Sequence, residues 1–253
     1  MSNGGTMNLT YLEVDHQRSI YTGMPEELRA SFMERLKLSW LYHDHALEGV
    51  VLTPEELSRA LGRMPCRTYC ESVTQHGLRA LDTAIDFLHQ SAERGDELSI
   101  DWLRELHKML AMPGDEAGGR YRKRDTSPGV YHLNVAPASS ISYHFHKFMD
   151  VYDEELCHLH PIRQAALAHW EFMRVFPFDE RTGVVGRLML NFLLLKHRFP
   201  PAIIHSSERH NYFAALNGHR NDLVPVTIDA IRATLHAASG FRRQAASSHQ
   251  IAL

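Results

Sequence analysis

Two stretches of the chain are rich in apolar residues on every helical face, and they lie close together. One covers residues 161–175, and the other covers residues 184–195, interrupted only by Gly186, Arg187 and Asn191. A helix that is apolar all round is buried in a protein core, and the second stretch is too short and too interrupted to cross a membrane. Only a short loop separates the two, so the pattern predicts a buried αα-hairpin.

Elsewhere the chain shows the amphipathic pattern of helices that bury one face. Apolar residues at helical spacing predict helices over about 24–47, 54–61, 68–92, 99–110, 138–159, 206–219 and 224–239. The second of these opens with a capping box at Thr53. Residues 129–135 alone look like a strand, and we expect a small β-hairpin flap there. The sequence therefore predicts an all-α fold, a helical bundle around the buried hairpin.

The domain organisation follows from the polar ends of the chain. With 253 residues, the chain has room for one large domain, which we place at 21–240. Residues 1–20 begin with a polar, Gly- and Asn-containing run, and we expect a disordered or loosely docked arm. Residues 241–253 are expected to form a polar tail, and the loop after the second predicted helix is placed at 62–67.

Composition narrows the class of protein. The net charge of −3 argues against nucleic-acid binding through bulk charge. No signal peptide and no apolar run of about 18 residues is found, so we expect no membrane contact. The three cysteines, Cys66, Cys70 and Cys157, form no disulfide framework, which indicates a reducing compartment such as the cytoplasm. The sequence leaves homodimerisation open.

The 18 histidines are many for this length. Several stand two residues apart, at 43 and 45, 144 and 146, and 158 and 160. On a helix, residues at this spacing point to different faces, which argues against a shared transition metal. We expect most of these histidines to be polar surface residues.

The loop between the two buried helices holds the groups best suited to bind phosphate. Thr182 is a predicted N-cap, and the free N–H groups that follow it, at the positive end of the helix dipole, form an anion site. Arg187 lies about one turn further on, where it reaches the same anion, and Glu180 can hold Mg²⁺. The same residues also describe a capped buried helix with a surface glutamate and a snorkelling arginine. Physical reasoning alone leaves both interpretations open.

Several stretches then point to one family. Residues 176–187 read FPFDERTGVVGR, residues 117–122 read AGGRYR, residues 160–166 read HPIRQAA, and residues 47–49 read LEG. They resemble the Fic family, or Fido fold, whose signature is His-Pro-Phe-x-Asp/Glu-Gly-Asn-Gly-Arg-x-x-Arg. The other three resemble its Gly-x-Tyr-Arg element, the helix before the signature and the inhibitory helix. The resemblance covers roughly residues 25–235.

The resemblance implies a function, since members of this family mostly transfer AMP from ATP to a protein hydroxyl. It implies Glu180 as the carboxylate for Mg²⁺, Arg187 as a phosphate-binding residue, and the amides near Thr182 and Gly183 as an anion hole. Glu48 would pair with Arg187 and obstruct the distal phosphate. A protein target would dock on the flap at 129–135 by strand addition.

Several signature positions depart from the family pattern. Phe176 stands where the family has its catalytic histidine and cannot accept a proton, and general-base help is typically worth ~10²–10⁴ in rate. Arg181 and Thr182 replace Gly and Asn, Val184 replaces the first signature arginine, and Asp44 replaces the Ser/Thr of the inhibitory pattern. Ordinary AMP transfer is therefore not expected.

Two functions remain at this point. The first is an enzyme that acts on a nucleotide, ATP or another, or on a phosphorylated small molecule by non-standard chemistry. The second is an inactive pseudoenzyme that binds a nucleotide or a partner protein. For the first, Asp179 is the preferred substitute base and Glu48 the next, while His132, His144 and His146 lie near the expected flap.

Residues 120–124 read RYRKR and form a cluster of basic side chains. This cluster could bind phosphate or nucleic acid. Arg122, within the cluster, and Arg181, in the loop before the second buried helix, are candidate phosphate-binding residues. The preferred interpretation places the cluster at the mouth of the site, with Arg122 paired inside the fold. His169, on the helix before the signature, is expected to be structural.

Overall fold

The structure, a computed structural model, describes residues 3–62 and 69–251, and over these residues it contains helices but no strand. The α-helices are α1 (Asn3–Thr22), α2 (Glu26–Leu47), α3 (Pro54–Leu61), α4 (Tyr69–Arg94), α5 (Ile100–Leu110), α6 (Ile141–Glu154), α7 (Pro161–Val175), α8 (Thr182–Lys196), α9 (Arg209–Asn217) and α10 (Leu223–Ile251). Short 3₁₀ helices lie at Ala138–Ser140, Leu156–His158, Ser206–Glu208 and Arg220–Asp222. The prediction of an all-α fold is confirmed.

The predicted buried hairpin is the centre of the fold. Helices α7 and α8 pack along each other, α8 also contacts α4 and α5, and α7 contacts α6 and α10. Every residue of α8 from Thr182 to Leu194 is buried. The two helices approach closely at Gly186, where a Cβ atom would lie 2.7 Å from His169 Cε1 and 3.2 Å from Met173 Sδ. A larger residue at this position would force the helices apart.

Because α8 is buried on all sides, the polar side chains of Arg187 and Asn191 must find their partners within the protein. The side chain of Asn191 accepts from the Ala202 N–H (2.7 Å) and donates to the Ala202 carbonyl (3.4 Å). Both Asn191 and Ala202 are buried. This pair of bonds satisfies backbone groups that no helix or strand satisfies, and it fixes the chain after α8.

Helix α2 brings a second set of polar groups to α8. Its buried stripe includes Phe32, Leu36 and Trp40, and its last turns bury Asp44. Helix α2 ends at Leu47, and Glu48 is its C-cap. Gly49 follows with φ of 90°, a left-handed conformation suited to glycine after a helix. The end of α2 thus directs Asp44 and Glu48 toward the start of α8.

The prediction of a β-hairpin flap was wrong. Residues 129–132 form a turn, in which the N–H groups of Tyr131 and His132 both donate to the Pro128 carbonyl (3.0 and 2.7 Å). The alternation in the sequence is real, because Tyr131 and Leu133 are buried whereas His132 and Asn134 are exposed. The segment therefore inserts alternate side chains into the core without a partner strand, and it offers no strand for strand addition.

Both expected polar ends are helical over their described parts. Residues 3–22 form α1, which packs against α10, and its Val14 is fully buried. Helix α10 continues through the expected tail to Ile251. Arg232 of α10 donates to Glu13 of α1 (2.7 Å), a contact between distant segments that the pattern of either one does not show. The expected loop at 62–67, from residue 63 on, and Cys66 within it lie outside the described residues.

Over the described ranges, none of the helices is both long enough and apolar enough to cross a lipid bilayer.

Replacing Asn191 with alanine tests the link between α8 and the chain that follows it. The variant leaves the N–H and carbonyl of Ala202 buried without partners, and we expect a loss of about 2 to 4 kcal/mol in the free energy of unfolding. Urea denaturation measures it. The exposed Asn134→Ala is the matched control and should change stability by less than about 0.5 kcal/mol; equal effects of the two variants would contradict the assignment.

Candidate functional site

The loop between α7 and α8 is held in a strained shape. Phe176 and Arg181, at its two ends, have positive φ angles of 45° and 60° although neither is glycine. Arg181 is the N-cap of α8 and makes no side-chain cap bond, so the prediction of Thr182 as N-cap was wrong. Thr182 is instead the first helical residue, and its hydroxyl bonds the N–H and the carbonyl of Phe178 (3.1 and 3.0 Å). This pair of bonds closes the loop internally.

Arg122 holds the loop from the other side. It is 2% exposed, and its guanidinium donates to the carbonyls of Phe176 (2.8 Å), Arg124 (2.9 Å) and Ala136. Its own N–H donates to the Pro177 carbonyl (2.9 Å). The donors of Arg122 are therefore used on the backbone, which agrees with internal pairing rather than with phosphate binding.

Arg187 lies at the centre of the site, with 3% of its surface exposed. Its Nε and Nη2 atoms donate to the two carboxylate oxygens of Asp44 (2.6 and 3.1 Å), a bidentate pair. Nη2 also donates to Glu48 Oε1 (2.8 Å), and Nη1 donates to the Tyr131 hydroxyl (3.0 Å). The expected pairing of Glu48 with Arg187 is present in the structure.

Tyr131 is the site residue that sequence reasoning missed. Its hydroxyl donates to Glu48 Oε1 and accepts from Arg187. Both oxygens lie over Gly183, where a Cβ atom would be 1.8 Å from the Tyr131 hydroxyl and 2.9 Å from Glu48 Oε1. The two oxygens therefore lie against the first turn of α8, the end of a helix that attracts anions. The inward alternation of residues 131 and 133 was the available signal.

The charges of the site fix the ionisation of its members. Burial by itself lowers the pKa of Arg187, but Asp44, Tyr131 and Glu48 outweigh it and hold that pKa well above its ordinary value. Burial raises the pKa of Tyr131 well above its ordinary value, although Arg187 opposes this. Tyr131 is therefore neutral, and its hydroxyl donates to Glu48 Oε1.

A neutral polar layer lies behind Arg187. His169 Nε2 is 2.8 Å from the Tyr212 hydroxyl, and both residues are fully buried. Burial, and then the charge of Arg187, lower the pKa of His169 to about 3. A second cation here would repel Arg187, so the histidine stays neutral. This arrangement agrees with the structural role expected for His169.

Two positions of the signature carry apolar side chains, and neither can accept a proton. Phe176 is buried, and its ring makes an edge contact with Tyr131, which also packs edge-on against Phe213 (centroids 6.2 and 5.0 Å). Val184, at the position of the first signature arginine, is also buried. Phe176 and Val184 therefore place buried apolar side chains at two signature positions where the family has a histidine and an arginine.

The two carboxylates of the loop before α8 are more exposed than the two that bond Arg187. Asp179 and Glu180 are exposed, and the backbone of Glu180 is fixed through its carbonyl, which lies 3.2 Å from His107 Nε2. Mg²⁺ needs one or two protein carboxylates together with phosphate oxygens and water, and these two residues fit that requirement. Within the described part of the chain, no group of three His, Cys, Asp or Glu residues is arranged to hold a metal ion unaided.

The side chain of Arg181 points toward α4. Its Nη2 and the Nε2 of His45 both lie 3.5 Å from the point where a Cβ on Gly77 would be. His45 is buried, and burial lowers its pKa, so it is the neutral neighbour of this guanidinium. The positive charge of Arg181 therefore lies next to Gly77 and His45.

The histidines near the expected flap take no part in this network. His132 and His146 are exposed, and His146 Nδ1 lies 2.7 Å from the Ser142 carbonyl of its own helix. His144 packs edge-on against the exposed Tyr143. Of the candidate bases, Glu48 bonds Arg187 of α8, and Asp179 lies in the loop just before α8.

Comparison with known proteins identifies the class. A model of the Fic/DOC family matches residues 97–194. Protein adenylyltransferase fic-1 of Caenorhabditis elegans is 32% identical over 196 residues, which cover 74% of this chain and 37% of the relative. Protein adenylyltransferase Fic of Nematostella vectensis is 28% identical over 194 residues, covering 73% and 44%. The chain belongs to the Fic/DOC family, and it spans less than half the length of these curated relatives.

Solved structures share its fold. A fragment of Fic-1 from C. elegans has a TM-score of 0.79 at 23% identity, covering 93% of this chain and 72% of that one. A Fic-domain-containing signaling protein from Bacteroides thetaiotaomicron has a TM-score of 0.77 at 22% identity, covering 91% and 98%. Identities this low establish the fold alone.

Arg181→Gly tests the strain in the loop. Glycine adopts a φ of 60° without the steric cost that a side chain carries, so we expect the free energy of unfolding to rise by about 1 kcal/mol. Thermal and urea denaturation measure it. Arg181→Ala keeps the strain and is the matched control; a gain of the same size in both variants would show that the side chain, not the backbone, is the cause.

The neutral His169 predicts a pH dependence. In the unfolded chain this histidine takes up a proton near its ordinary pKa of 6.5, but in the fold it stays neutral down to about 3. Stability is therefore lost as pH falls below about 6.5, by up to about 1.4 kcal/mol per pH unit from this group. His169→Gln removes the titrating group, and we expect a shallower slope in urea denaturation between pH 6.5 and 4.

His146→Gln is the control for this measurement, because it removes an exposed histidine of α6. It should leave the slope unchanged. A slope in His169→Gln as steep as that of the unmodified chain would rule out His169 as a source of the pH dependence.

Proposed function

We propose that this site binds a phosphate-containing substrate, a nucleotide or a phosphorylated small molecule, and transfers a phosphate-bearing group to an acceptor hydroxyl. The observation that carries the proposal is the pair of oxygens, from Glu48 and Tyr131, held over Gly183 at the start of α8 and against Arg187. A place that stabilises two oxygens in this way suits the oxygens of a phosphate. The family relatives named protein adenylyltransferases support the same reaction class.

Each residue then has a role. The amides at the start of α8, near Thr182 and Gly183, receive the phosphate that is transferred, and Arg187 binds the phosphate next to it. Glu180, with Asp179 beside it, would hold Mg²⁺, which neutralises charge on the phosphates when bound. Arg181 supplies a positive charge at the rim.

The site must open before it can work. Glu48 Oε1 and the Tyr131 hydroxyl occupy the position that the substrate phosphate would take. Glu48 belongs to the end of α2 and Tyr131 to the turn after Pro128, so the proposed opening moves these two segments and leaves the α7–α8 hairpin in place. The described conformation is thus a closed state of the proposed enzyme.

The chemistry differs from that of the family because Phe176 cannot accept a proton. In the proposed reaction the acceptor oxygen forms a bond to phosphorus and its proton passes to a carboxylate. The bond from that phosphorus to its leaving group, a phosphate or an alcohol oxygen, breaks and the leaving group departs with the electron pair. Glu48 lies at the anion position, whereas Asp179 lies on the rim. Once displaced from Arg187 by substrate, Glu48 is the better placed of the two bases.

A protein is the acceptor class that the relatives' names favour. The turn of residues 129–132 carries Tyr131 into the site and leaves the apolar side chain of Val130 exposed. A target docked there would contact the same segment that carries Tyr131. Docking would therefore be linked to the opening of the site.

A second function has its own supporting observation. The site contains a phenylalanine in place of the base, and the chain's own oxygens fill the anion position. Both features suit a pseudoenzyme that binds a nucleotide or a partner protein without turning anything over. This candidate predicts binding without product.

Opening the site by Glu48→Ala tests the proposal. We expect AMP, ADP, ATP or inorganic phosphate, with Mg²⁺ present, to raise the melting temperature of this variant by about 5 °C at saturation. The unmodified chain should respond less, because Glu48 and Tyr131 compete for the site. Exposed Glu34→Ala, on the same helix, is the control and should respond like the unmodified chain.

If none of these compounds stabilises Glu48→Ala, the proposed phosphate site does not exist. If binding occurs, incubation of the unmodified chain with protein acceptors and mass spectrometry of the mixture separates the two functions. A mass gain on a protein supports the transferase, and binding with no covalent product supports the pseudoenzyme.

A further inference from the structure

A cavity of about 410 Å³ lies between α10 and the segment that joins α8 to α9. Small-molecule sites in proteins have volumes of about 300 to 1,000 Å³ and combine a mostly apolar lining with a few polar groups. The apolar lining here comes from Ile203, Ile204, Val226, Ala230 and Ala233. The cavity therefore has the size and the lining of a ligand site.

The cavity is separate from the site around Arg187. Helix α9 contributes Asn211 to the cavity, whereas Phe213 of the same helix packs edge-on against Tyr131. Because successive residues of an α-helix are rotated by about 100°, Asn211 and Phe213 leave α9 on opposite faces. A ligand in the cavity and a substrate beside Tyr131 would therefore lie on opposite sides of α9.

Two carboxylates from different elements line the cavity. Glu208, the N-cap of α9, accepts a hydrogen bond from the Asn211 amide through Oε2 (2.8 Å), and its Oε1 stays available. Asp229 of α10 is exposed, and over the described ranges its side chain enters no hydrogen bond or ion pair. Both carboxylates can therefore accept bonds from a ligand.

The arginines nearest in sequence to these carboxylates make contacts elsewhere. Arg209, which follows Glu208, lies over the Phe213 ring, with 5.1 Å from its Cζ to the ring centroid. Arg232 of α10 donates to Glu13 of α1 (2.7 Å). The negative charge at the cavity is therefore not balanced by either of these two cations.

His205 forms a fixed edge of the cavity. Its ring stacks on the ring of His43 in α2 (centroids 4.2 Å apart, planes at 17°), and His43 Nδ1 accepts from the Ser206 N–H (3.2 Å). Burial, and then His205, lower the pKa of His43 to about 4, so its ring is neutral at neutral pH. The edge is thus formed before a ligand arrives, which lowers the cost of binding.

We propose that the cavity binds a small organic ammonium ion with an apolar body. An ammonium group has three N–H donors that can point in different directions, which suits the separate carboxylates of Glu208 and Asp229. The apolar body would lie against Ile203, Ile204 and Val226, where burial of apolar surface favours it. A metal ion has no such body, and no group of three His, Cys, Asp or Glu residues in the described part of the chain is arranged to hold one.

The experiment titrates 2-phenylethylamine and 3-phenylpropionate into the full chain and follows binding by protein NMR. The two compounds share a phenyl ring and a similar length, but their charges are opposite. We expect the amine to bind with a Kd of about 1 mM, and the carboxylate to bind at least about tenfold more weakly. Asp229→Asn should weaken binding of the amine by about fivefold, and Ala233→Phe should abolish it because the added ring fills the cavity.

Two variants are matched controls, and both should bind the amine as the unmodified chain does. Ala237→Phe adds the same ring at an exposed position one turn further along α10, outside the cavity lining, and Glu34→Gln removes an exposed carboxylate from α2. Circular dichroism checks the fold of each variant. If Ala233→Phe does not fold, the ratio of the two probes and Asp229→Asn decide.

Three results would each overturn the proposal. They are the absence of saturable binding of the amine, equal affinity for the amine and the carboxylate, and unchanged binding of the amine to a folded Ala233→Phe. None of them bears on the proposed phosphate site, which the nucleotides test.

Discussion

A buried guanidinium must have its charge and its N–H groups satisfied, and this requirement on Arg187 organises the structure around it. The side chain lies inside the most apolar helix of the fold, so no water can take the place of its partners. Its bonds reach Asp44 and Glu48 at the end of α2 and Tyr131 in the turn after Pro128. One side chain thus joins three separate parts of the chain, and the site exists where they meet.

The same requirement links the departures from the family signature to one another. Val184 removes one cation from the entrance, and Asp44 neutralises another by pairing with Arg187. Phe176 removes the proton acceptor, and its ring packs against Tyr131, whose hydroxyl lies over Gly183. These changes are physically consistent with one another. Apolar side chains stand at positions 176 and 184, Asp44 neutralises Arg187, and the Tyr131 hydroxyl lies over Gly183. Reverting one of them would leave the others unmatched.

The sequence predicted the parts of the fold that depend on local pattern. The helices of the central hairpin and the capping box at Thr53 follow from residue spacing, and the structure has them. For α5 the sequence offers Ser99 or Asp101 as the cap, and the structure has Ser99. The pairing of Glu48 with Arg187 followed from the motif. Tyr131 could not be predicted, because nothing in its own sequence shows that its hydroxyl reaches a helix N-terminus. The alternation around it was interpreted as a strand, since periodicity reports which side chains point inward but not whether a partner strand exists.

The network on Arg187 also has a consequence for how the chain folds. Its bonds to Asp44 and Tyr131 span 143 and 56 residues of sequence, and the Tyr131–Glu48 bond spans 83. Contacts between such distant segments form only after much of the loop entropy has been lost. Helices α7 and α8 can pair early, since their contact is local, but the cation between them is then still unmatched. The pocket is therefore among the last features to form, and a chain that reaches it has already assembled α2, the turn after Pro128 and the central hairpin in register.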